Sequence, residues 1–510
     1  MSMPTIGKQT KNKTLMPINK KTKVLFLLLG VTILCNAQIQ MGNDIEGEFE
    51  NDEFGTSIGM SADGQIIAIG GPRNDGKAHQ AGHVRVYKLS NEEWIQLGSD
   101  IDGQEERDWF GFSVALSDDG NRLIVGSLRL NGAGARAFEF KDEDWLQIGQ
   151  NISMGQANDV AISADGNFVA VADYNFPQPA IHTGVVRVYE WKNGEWAKMG
   201  GDINGEEEKD QSGWSVSQSS DGKTVAIGTI NSKEGGNNSG HVRVFRFIGG
   251  EWILLGKSIA GKGNGYSFGW SVSLSSNGNR VAIGGYGSLY FEERPCYVGV
   301  YEFINGEWNK IGQEIDGYIN EGFGREVVLS GEGNRVAIAS PSNRNCPVRI
   351  YDFINGEWKQ LGKAIKNKRA IDATGSSIGM SKDGKIAAAG SIFSGDSTNT
   401  GTGYVHVYDI ADIKVEENLD ENCNKIIEEE IEEIKEYHLF PNPTLGYLTV
   451  QGVDLEELKE NKKLKLFDML GRRIEGYEVK ENSIDLSQIP AGTYLLIIDE
   501  KLEKIIKVRR

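Results

Sequence analysis

The chain has 510 residues, of which 39% are hydrophobic, and its 72 acidic side chains outnumber its 54 basic ones. The resulting formal net charge of −18 argues against nucleic acid or an anionic membrane surface as a partner. The 65 glycines against 11 prolines are typical of a protein built from hairpins and turns.

The N-terminal segment has the layout of a secretion signal. A lysine-rich stretch, 20–23, precedes an apolar segment, 24–34, that is too short to span a bilayer comfortably. Ala37 supplies the small residue expected at a cleavage site, so we predict a signal peptide over 1–37 and no membrane insertion after its removal. A lipoprotein signal acylated at Cys35 is the alternative, but a bulky leucine stands before that cysteine where a small residue is usual.

A unit with a Ser-x-Asp-Gly-like turn recurs seven times between residues 38 and 410. The serines that open the turns follow one another at intervals of 46 to 56 residues: Ser61, Ser117, Ser163, Ser219, Ser275, Ser330 and Ser381. Repeats of about this length, made of short β runs, are typical of propellers and other arrays. The sequence therefore predicts one blade for each copy.

The copy around Ser219 predicts four strands. The first, 214–219, ends in the turn, the second, 224–227, is apolar throughout, and the third, 242–247, is β-branched and aromatic. A tight turn, clearest as Asn-Gly at 305–306, leads to the fourth strand. Six copies carry a tryptophan in that strand: Trp94, Trp145, Trp196, Trp252, Trp308 and Trp358.

The seventh copy lacks its fourth strand, because an acidic stretch follows its third strand at 404–410. The missing piece is at the other end of the chain, where 39–47 (IQMGNDIEG) matches 94–103 (WIQLGSDIDG). We predict that this N-terminal strand completes blade seven, so that no long edge remains to pair with other chains. The predicted fold of residues 38–410 is an all-β, seven-bladed β-propeller closed by an N-terminal strand.

Copies of Phe-Gly precede the first strand, and the second strands read VAIG or VGS. The Phe-Gly pairs are at 54–55, 110–111, 268–269 and 323–324. These features resemble FG-GAP repeats, the blade units of integrin α-chain propellers, and the resemblance implies an adhesion or recognition ring with a glycan or protein ligand. Calcium-binding blades of that family carry oxygen ligands at alternate loop positions, whereas loops such as SADG and SSNG offer two carboxylates at most. We therefore predict turns without a metal or other cofactor, with calcium as the alternative.

The start of the first strand lies near the central channel of a propeller, so its residues form the candidate ligand site. One position in this strand carries a large aromatic side chain in three copies and an arginine in another: Phe112, Trp214, Trp270 and Arg325. At the next position, two copies replace serine with a carboxylate: Asp159 and Glu326. Aromatic faces beside carboxylates stack on sugars or hold cationic groups. We predict that these six residues mark the ligand site; the alternative is that the aromatic rings only pack between blades.

Catalysis is the alternative function class. The Ser-x-Asp-Gly turn resembles part of the sialidase Asp-box, but the tryptophan of that motif is absent, and apolar residues such as Ile67 and Val225 stand in its place. Six scattered histidines, and no recognisable nucleophile with a flanking acid, argue against an active site. We predict a binding protein without catalytic residues and keep a secreted glycan-active hydrolase or lyase as the alternative.

Two cysteines, Cys296 and Cys346, occupy matching positions in consecutive blades. Export permits a disulfide, but equivalent points on neighbouring blades usually lie too far apart for one. We predict that both are reduced and structural, and no Cys/His cluster in the sequence indicates zinc.

Residues 411–437 are strongly acidic and predict a solvated linker. Residues 438–510 then carry PNP at 441–443, DMLGR at 468–472 and PAGTY at 490–494, before a basic end. This pattern closely resembles the C-terminal sorting domain of the bacterial type IX secretion system. The resemblance implies a small β-sandwich-like domain, the type IX machinery as a partner, and a location in the medium or on the outer surface of a Gram-negative bacterium.

Overall fold

The computed structural model describes residues 38–415, apart from 129–133, 153, 179, 287–295, 319–320, 343–346, 367–373, 393–400, 412 and 414, and seven strands between residues 438 and 508. The chain divides into two compact units, Met1–Glu417 and Asn418–Arg510. The predicted signal peptide, most of the predicted linker and Cys346 lie outside the described residues. Cys296 is buried, and the predicted reduced state of the two cysteines stays a prediction.

The first unit is a ring of seven antiparallel sheets, one for each sequence repeat, as predicted. The N-terminal segment holds β1 (Ile39–Gln40) and β2 (Ile45–Glu46). Blade one is β3 (Ser57–Met60), β4 (Ile66–Gly71), β5 (His83–Ser90), β6 (Glu93–Gln96) and β7 (Ile101–Asp102). Blade two is β8 (Phe110–Leu116), β9 (Arg122–Ser127), β10 (Ala135–Lys141) and β11 (Asp144–Gln147). Blade three is β12 (Asp159–Ile162), β13 (Phe168–Asp173), β14 (Val185–Lys192), β15 (Glu195–Lys198) and β16 (Ile203–Asn204).

The remaining blades follow the same order from the inside of the ring to the outside. Blade four is β17 (Ser212–Gln218), β18 (Thr224–Thr229), β19 (His241–Ile248), β20 (Glu251–Leu254) and β21 (Ile259–Ala260). Blade five is β22 (Phe268–Leu274), β23 (Arg280–Gly285), β24 (Tyr297–Ile304), β25 (Glu307–Lys310) and β26 (Ile315–Asp316). Blade six is β27 (Val327–Leu329), β28 (Arg335–Ala339), β29 (Val348–Ile354) and β30 (Glu357–Ile365). Blade seven contributes β31 (Thr374–Met380), β32 (Ile386–Ser391) and β33 (Tyr404–Asp409).

The N-terminal segment completes blade seven, which confirms the predicted closure. Strand β1 pairs antiparallel with β33, with Ile39 opposite Asp409, and β2 pairs with the same strand, with Ile45 opposite Val405. The sheet order of this blade is β1-β33-β32-β31, so its outermost strand comes from the opposite end of the propeller sequence. The ring is closed by these hydrogen bonds, and the outer edge of β33 is covered.

The outer-strand tryptophans join each blade to the blade before it. Each indole N–H donates a hydrogen bond of 2.7–3.1 Å to a backbone carbonyl: Trp94 to Met41, Trp145 to Leu97, Trp196 to Ile148, Trp252 to Met199, Trp308 to Leu255 and Trp358 to Ile311. In blade seven the matching residue is Gln38, whose side-chain amide donates to the carbonyl of Lys363 in blade six. The N-terminal segment therefore supplies the seventh contact with an amide instead of an indole.

The second strands are buried on both faces, as their continuous apolar pattern predicts; every residue of β18 is buried. The glycine in this strand allows the next blade to approach closely, because a Cβ atom at Gly228 would lie 2.0 Å from the carbonyl oxygen of Gly269. Alanines replace this glycine in blades three and six, at Ala172 and Ala339. These are the two blades in which a carboxylate replaces the first-strand serine.

The C-terminal unit forms two antiparallel sheets. The four-stranded sheet contains β34 (His438–Asn442), β35 (Tyr447–Gln451), β37 (Glu478–Lys480) and β38 (Ser483–Asp485). The three-stranded sheet contains β36 (Leu464–Asp468), β39 (Gly492–Ile498) and β40 (Leu502–Val508). Both units are therefore built from strands in the residues that the structure describes, in agreement with the predicted all-β class.

Candidate functional site

The first strands of the seven blades enclose a central cavity of about 600 Å³, a volume in the usual range for small-molecule sites. One end, here called the mouth, is formed by the residue at the start of each strand: Thr56, Phe112, Asn158, Trp214, Trp270, Arg325 and Ser376. All six residues predicted from the sequence line this cavity. The structure therefore brings them into one place, as the repeat positions suggested.

The other end, here called the floor, is formed by the residue that follows each turn serine: Ala62, Asp118, Ala164, Ser220, Ser276, Gly331 and Lys382. Each backbone N–H donates to the carbonyl of the floor residue in the next blade, at 2.7–2.9 Å, and Lys382 donates back to Ala62. Seven hydrogen bonds thus make a closed ring around the base of the cavity. No residue in this ring leaves its backbone donor unsatisfied.

Four aromatic rings form a continuous belt along one side of the mouth. The ring centroids of Trp214 and Trp270 lie 4.6 Å apart, with their planes tilted by 52°. Tyr174 extends the belt at one end, 4.9 Å from Trp214, and Tyr286 extends it at the other, 4.6 Å from Trp270. Phe112 lines the same cavity, and in the described structure no ring contact joins it to this belt.

Sequence reasoning missed Tyr174 and Tyr286. Both occupy the same repeat position, two residues after the alanine or glycine of the second strand, where other copies carry Pro72, Leu128 or Ile230. The available signal was an aromatic residue at one repeat position in blades three and five, which flank blade four and its mouth residue Trp214. To use this signal, one must know that the end of a second strand and the start of a first strand lie at the same rim of the ring.

Small serines at one first-strand position link neighbouring blades. The hydroxyls of Ser57, Ser215 and Ser377 each donate to a glycine carbonyl in the next blade, at 2.7–2.8 Å. Asp159 and Glu326 occupy this position in blades three and six. The contacts of Asp159 and Glu326 show whether a carboxylate at this position also joins neighbouring blades.

Asp159 joins three blades. One carboxylate oxygen accepts hydrogen bonds from the Ser113 hydroxyl at 2.8 Å and from the backbone N–H of Val160 at 3.0 Å. The other accepts from the backbone N–H of Val216 at 2.7 Å. Protein surrounds the carboxyl within the narrow cavity, and this burial raises the pKa of Asp159 to about 6 in spite of the three hydrogen bonds. Both oxygens are thus engaged between blades.

Glu326 has a different environment, because its carboxyl receives no hydrogen bond from a described residue. Burial raises the pKa of Glu326 to about 8; the charge of Asp159 adds to this shift and the Arg325 guanidinium opposes it. The carboxyl is mostly protonated at neutral pH and can then donate as well as accept a hydrogen bond. The guanidinium of Arg325 lies 5.9 Å from the ring centre of Tyr286, so Arg325 and Glu326 form the polar end of the belt.

Outside the cavity, the described residues contain one cluster of potential metal ligands, formed by Glu48, His83 and Asp100. The guanidinium of Arg85 already lies between the two carboxylates, 2.6 Å from Glu48 and 2.8 Å from Asp100. The nearby His83 ring, whose Nδ1 lies 3.8 Å from the carboxylate, and the hydrogen-bonded ion pair with Arg85 hold the pKa of Asp100 well below its usual range. An arginine fills the position that a cation would need.

Comparisons with known proteins identify the C-terminal unit. Residues 438–508 match the family model described as a secretion system C-terminal sorting domain, which confirms the resemblance in the sequence. A search of curated proteins finds no significant match to the chain. The described part of the chain contains no α-helix with the length and hydropathy that crossing a bilayer requires.

Solved structures with a similar chain path include hydrazine synthase from Kuenenia stuttgartiensis, with 14% identity over 68% of this chain and 93% of that one, at a TM-score of 0.45. A candidate 6-phosphogluconolactonase from Bacteroides uniformis has 14% identity over 60% of this chain and 83% of that one, at a TM-score of 0.42. Likeness at this level says nothing about function. The chain is therefore a seven-bladed β-propeller that carries a secretion system C-terminal sorting domain at its C-terminus.

Proposed function

We propose that the propeller is a binding module, exported through its sorting domain, that recognises a glycan at the mouth of the central cavity. The observation that carries the proposal is the aromatic belt from Tyr174 to Tyr286, which ends at Arg325 and Glu326. Aromatic faces pack on the apolar faces of sugar rings, and a few well-placed polar groups bind hydroxyls and fix the orientation.

The alternative explanation for the belt is packing between blades. The mouth position in blades one and seven carries only Thr56 and Ser376, although these blades have the same strand order as the others. A blade of this design thus needs no large side chain at the mouth. The confinement of the belt to blades three to five supports a site on one side of the ring, with space on the side of the small residues.

A role in adhesion or recognition at the cell surface agrees with two further features. The Phe-Gly and VAIG elements resemble the blades of integrin α-chains, and the sorting domain directs its cargo out of the cell. The net charge of −18 favours a neutral ligand, or one reached through specific contacts, over an anionic surface.

Glycan cleavage is the second candidate, because two carboxyl groups line the same cavity and the charge of one affects the other. Hydrolysis by a carboxyl pair needs one group as acid and the other as nucleophile or base. Both oxygens of Asp159 already accept hydrogen bonds from Ser113, Val160 and Val216. Glu326 is then the only carboxyl of the pair that is available to act on a substrate. This favours binding over cleavage.

The test is a glycan array probed with the purified mature protein, with and without calcium, beside the double variant Trp214→Ala/Trp270→Ala. We expect selective binding by the native protein and a loss of at least about tenfold in affinity in the variant, since two stacking surfaces are removed. The array hits are also incubated with the protein and analysed for shortened products, because turnover would support the second candidate.

A matched control is Trp109→Ala. Trp109 is a half-buried tryptophan that does not line the cavity. Its indole N–H donates to the side-chain oxygen of Gln80. Circular dichroism of all variants shows whether the ring is folded. Unchanged affinity in a folded Trp214→Ala/Trp270→Ala protein, or equal loss in the control, would refute the proposed site.

A further inference from the structure

The floor of the cavity is too narrow for a glycan chain to pass. Seven backbones joined at a spacing of about 4.8 Å, as in a β-ladder, place their Cα atoms on a circle roughly 11 Å across. Backbone atoms need about 3.5–4.0 Å of separation from any contacting carbon, which reduces the opening by several ångströms. The hydrogen-bonded ring from Ala62 to Lys382 thus has a narrow centre.

A side chain crosses what remains of this opening. The ammonium group of Lys382, in blade seven, donates to the carboxylate of Asp118 in blade two and to the hydroxyl of Ser220 in blade four, the latter at 2.6 Å. Ser220 lies nearly opposite Lys382 in the seven-membered ring, so the lysine stem spans its centre. Water reaches the pair, because both charged side chains are about one-third exposed, but a sugar chain has no exit there.

One repeat position in the wall between the mouth and the floor carries a residue no larger than valine in every blade. Ala115 is half-buried between the buried Val114 and Leu116, and Val328 is half-buried between the buried Val327 and Leu329, and both line the cavity. Gly59 and Gly379 line the side opposite the belt. The strand rises roughly 3.3 Å per residue, so six residues from Trp214 to Ser220 give a depth of roughly 20 Å. In the described part of the ring the cavity is therefore a deep cup that opens at the mouth.

We propose that this cup receives the end of a saccharide chain, or a terminal branch, and not the middle of a polymer. The inference rests on the proposed glycan-binding function and specifies its ligand. A chain lying across the mouth would touch only the rim and would leave the Glu326 carboxyl, which receives no hydrogen bond from a described residue, to water inside the cup. A terminal sugar can enter, pack against Trp214 and Trp270, and offer its additional free hydroxyl to Glu326.

Two variants narrow the cup below the mouth without changing the belt: Ala115→Leu and Val328→Phe. Both residues line the cavity wall, at a repeat position that also packs against the next blade, so circular dichroism first shows whether each variant is folded. In a folded variant the larger side chain narrows the cup and hinders an inserted sugar, whereas a chain lying across the mouth would still reach the tryptophans. We expect each variant to lose at least about tenfold in affinity for the best oligosaccharide on the array. Ile253→Phe, on the exposed outer strand of blade four, is the control for an added ring.

The ligand itself supplies the second arm of the experiment. The terminal sugar of the bound oligosaccharide is removed with an exo-acting glycosidase, and the disaccharide that corresponds to that end is used as a competitor. Loss of binding after trimming, together with competition by the disaccharide, is the expected result. Binding by the native protein that survives both trimming and the folded cup-narrowing variants would overturn chain-end recognition and leave the proposed function intact. Absence of binding to every glycan by the native protein would overturn both.

Discussion

The indole N–H of Trp94 donates a 2.8 Å hydrogen bond to the carbonyl oxygen of Met41, and this bond joins blade one to the N-terminal segment that completes blade seven. The same contact is made by every other outer-strand tryptophan to the blade before it. Each outer-strand tryptophan thus joins two neighbouring outer strands through one hydrogen bond. The contribution of each such hydrogen bond to the free energy of unfolding can therefore be measured by a single substitution.

The first prediction concerns Trp252, whose indole N–H donates to the carbonyl of Met199 at 2.8 Å. Trp252→Phe keeps an aromatic ring but removes the donor. We expect the free energy of unfolding to fall by about 1 kcal/mol, the net value of one such hydrogen bond, as measured by urea denaturation. Trp270→Phe is the control, because no described residue accepts a hydrogen bond from its indole. Equal costs for both substitutions would contradict the role of the indole N–H.

The second prediction concerns closure of the ring. A protein that begins at residue 48 lacks β1 and β2 and their pairing with β33, as well as the burial of Ile45. We expect its free energy of unfolding to fall by at least about 3 kcal/mol, and we expect association through the exposed edge of β33. Denaturation and light scattering measure the two effects. Ile39→Ala is the control, because that side chain is 58% exposed, and a shortened protein that stays monomeric and equally stable would contradict the closure.

The third prediction concerns pH. Glu326 has a pKa of about 8 in the folded protein against 4.5 as a reference, so between these values the folded state holds a proton that the unfolded state has lost. Its contribution to stability is therefore fully present below about pH 4.5 and is lost as pH rises through about 8. Glu326→Gln removes this dependence. We expect the variant to be more stable than the native protein above pH 8 by on the order of 2 kcal/mol, because water in the cavity offsets part of the burial, and equally stable in acid.

Urea denaturation at a series of pH values measures this difference. The exposed Glu332, in the next turn, gives a matched substitution, Glu332→Gln. Parallel stability curves for the native and Glu326→Gln proteins would show that the carboxyl ionises freely in the cavity.

The fourth prediction concerns a buried ion pair in blade six. Arg349 donates from both terminal nitrogens to the two oxygens of Glu321, at 3.0 and 2.6 Å, and each side chain is only 3% exposed. Arg349→Met leaves a buried carboxylate without its cation, so we expect a loss of about 3–5 kcal/mol in the free energy of unfolding. The double variant Arg349→Met/Glu321→Gln should recover part of that loss. No recovery would mean that the arginine acts through packing alone.

The fifth prediction concerns export. A variant that lacks residues 438–510, produced in a bacterium with a type IX system, should accumulate inside the outer membrane, because the matched sorting domain is absent. Immunoblots of cell fractions and medium measure its location against the full-length protein. Equal amounts of both proteins outside the cell would show that the propeller is exported by another route.

Much of the fold could be predicted from the sequence, because each blade is a local unit. The four strands of a blade are connected by short turns, so the apolar runs and the glycine and asparagine positions determine the strands without distant information. Even the closure of blade seven was visible, since 39–47 carries the pattern of an outer strand that is missing after β33. The position of the mouth residues followed from the same repeat, which placed Trp214 and Trp270 at the inner end of their blades.

The chemistry of the cavity could not be predicted in the same way, because it arises between blades. The sequence treats Asp159 and Glu326 as equivalent. The ring gives Asp159 three hydrogen bonds, two of them from neighbouring blades, and gives Glu326 none from the described residues. Tyr174 and Tyr286 belong to the belt because second strands end at the rim where first strands begin: Tyr174 meets Trp214 of the next blade, and Tyr286 meets Trp270 of its own blade.

The sequence by itself determined the repeat, the number of blades, the closing strand and the sorting domain, since each is encoded in a local pattern. Only the tertiary structure decided that the cavity is a cup. Its floor depends on Lys382 reaching Asp118, which lies 264 positions away in the chain, and on seven backbone groups that meet only when the ring is closed. Those contacts could not be predicted from the residue types, because the floor residues share only the position after each turn serine and differ in their side chains.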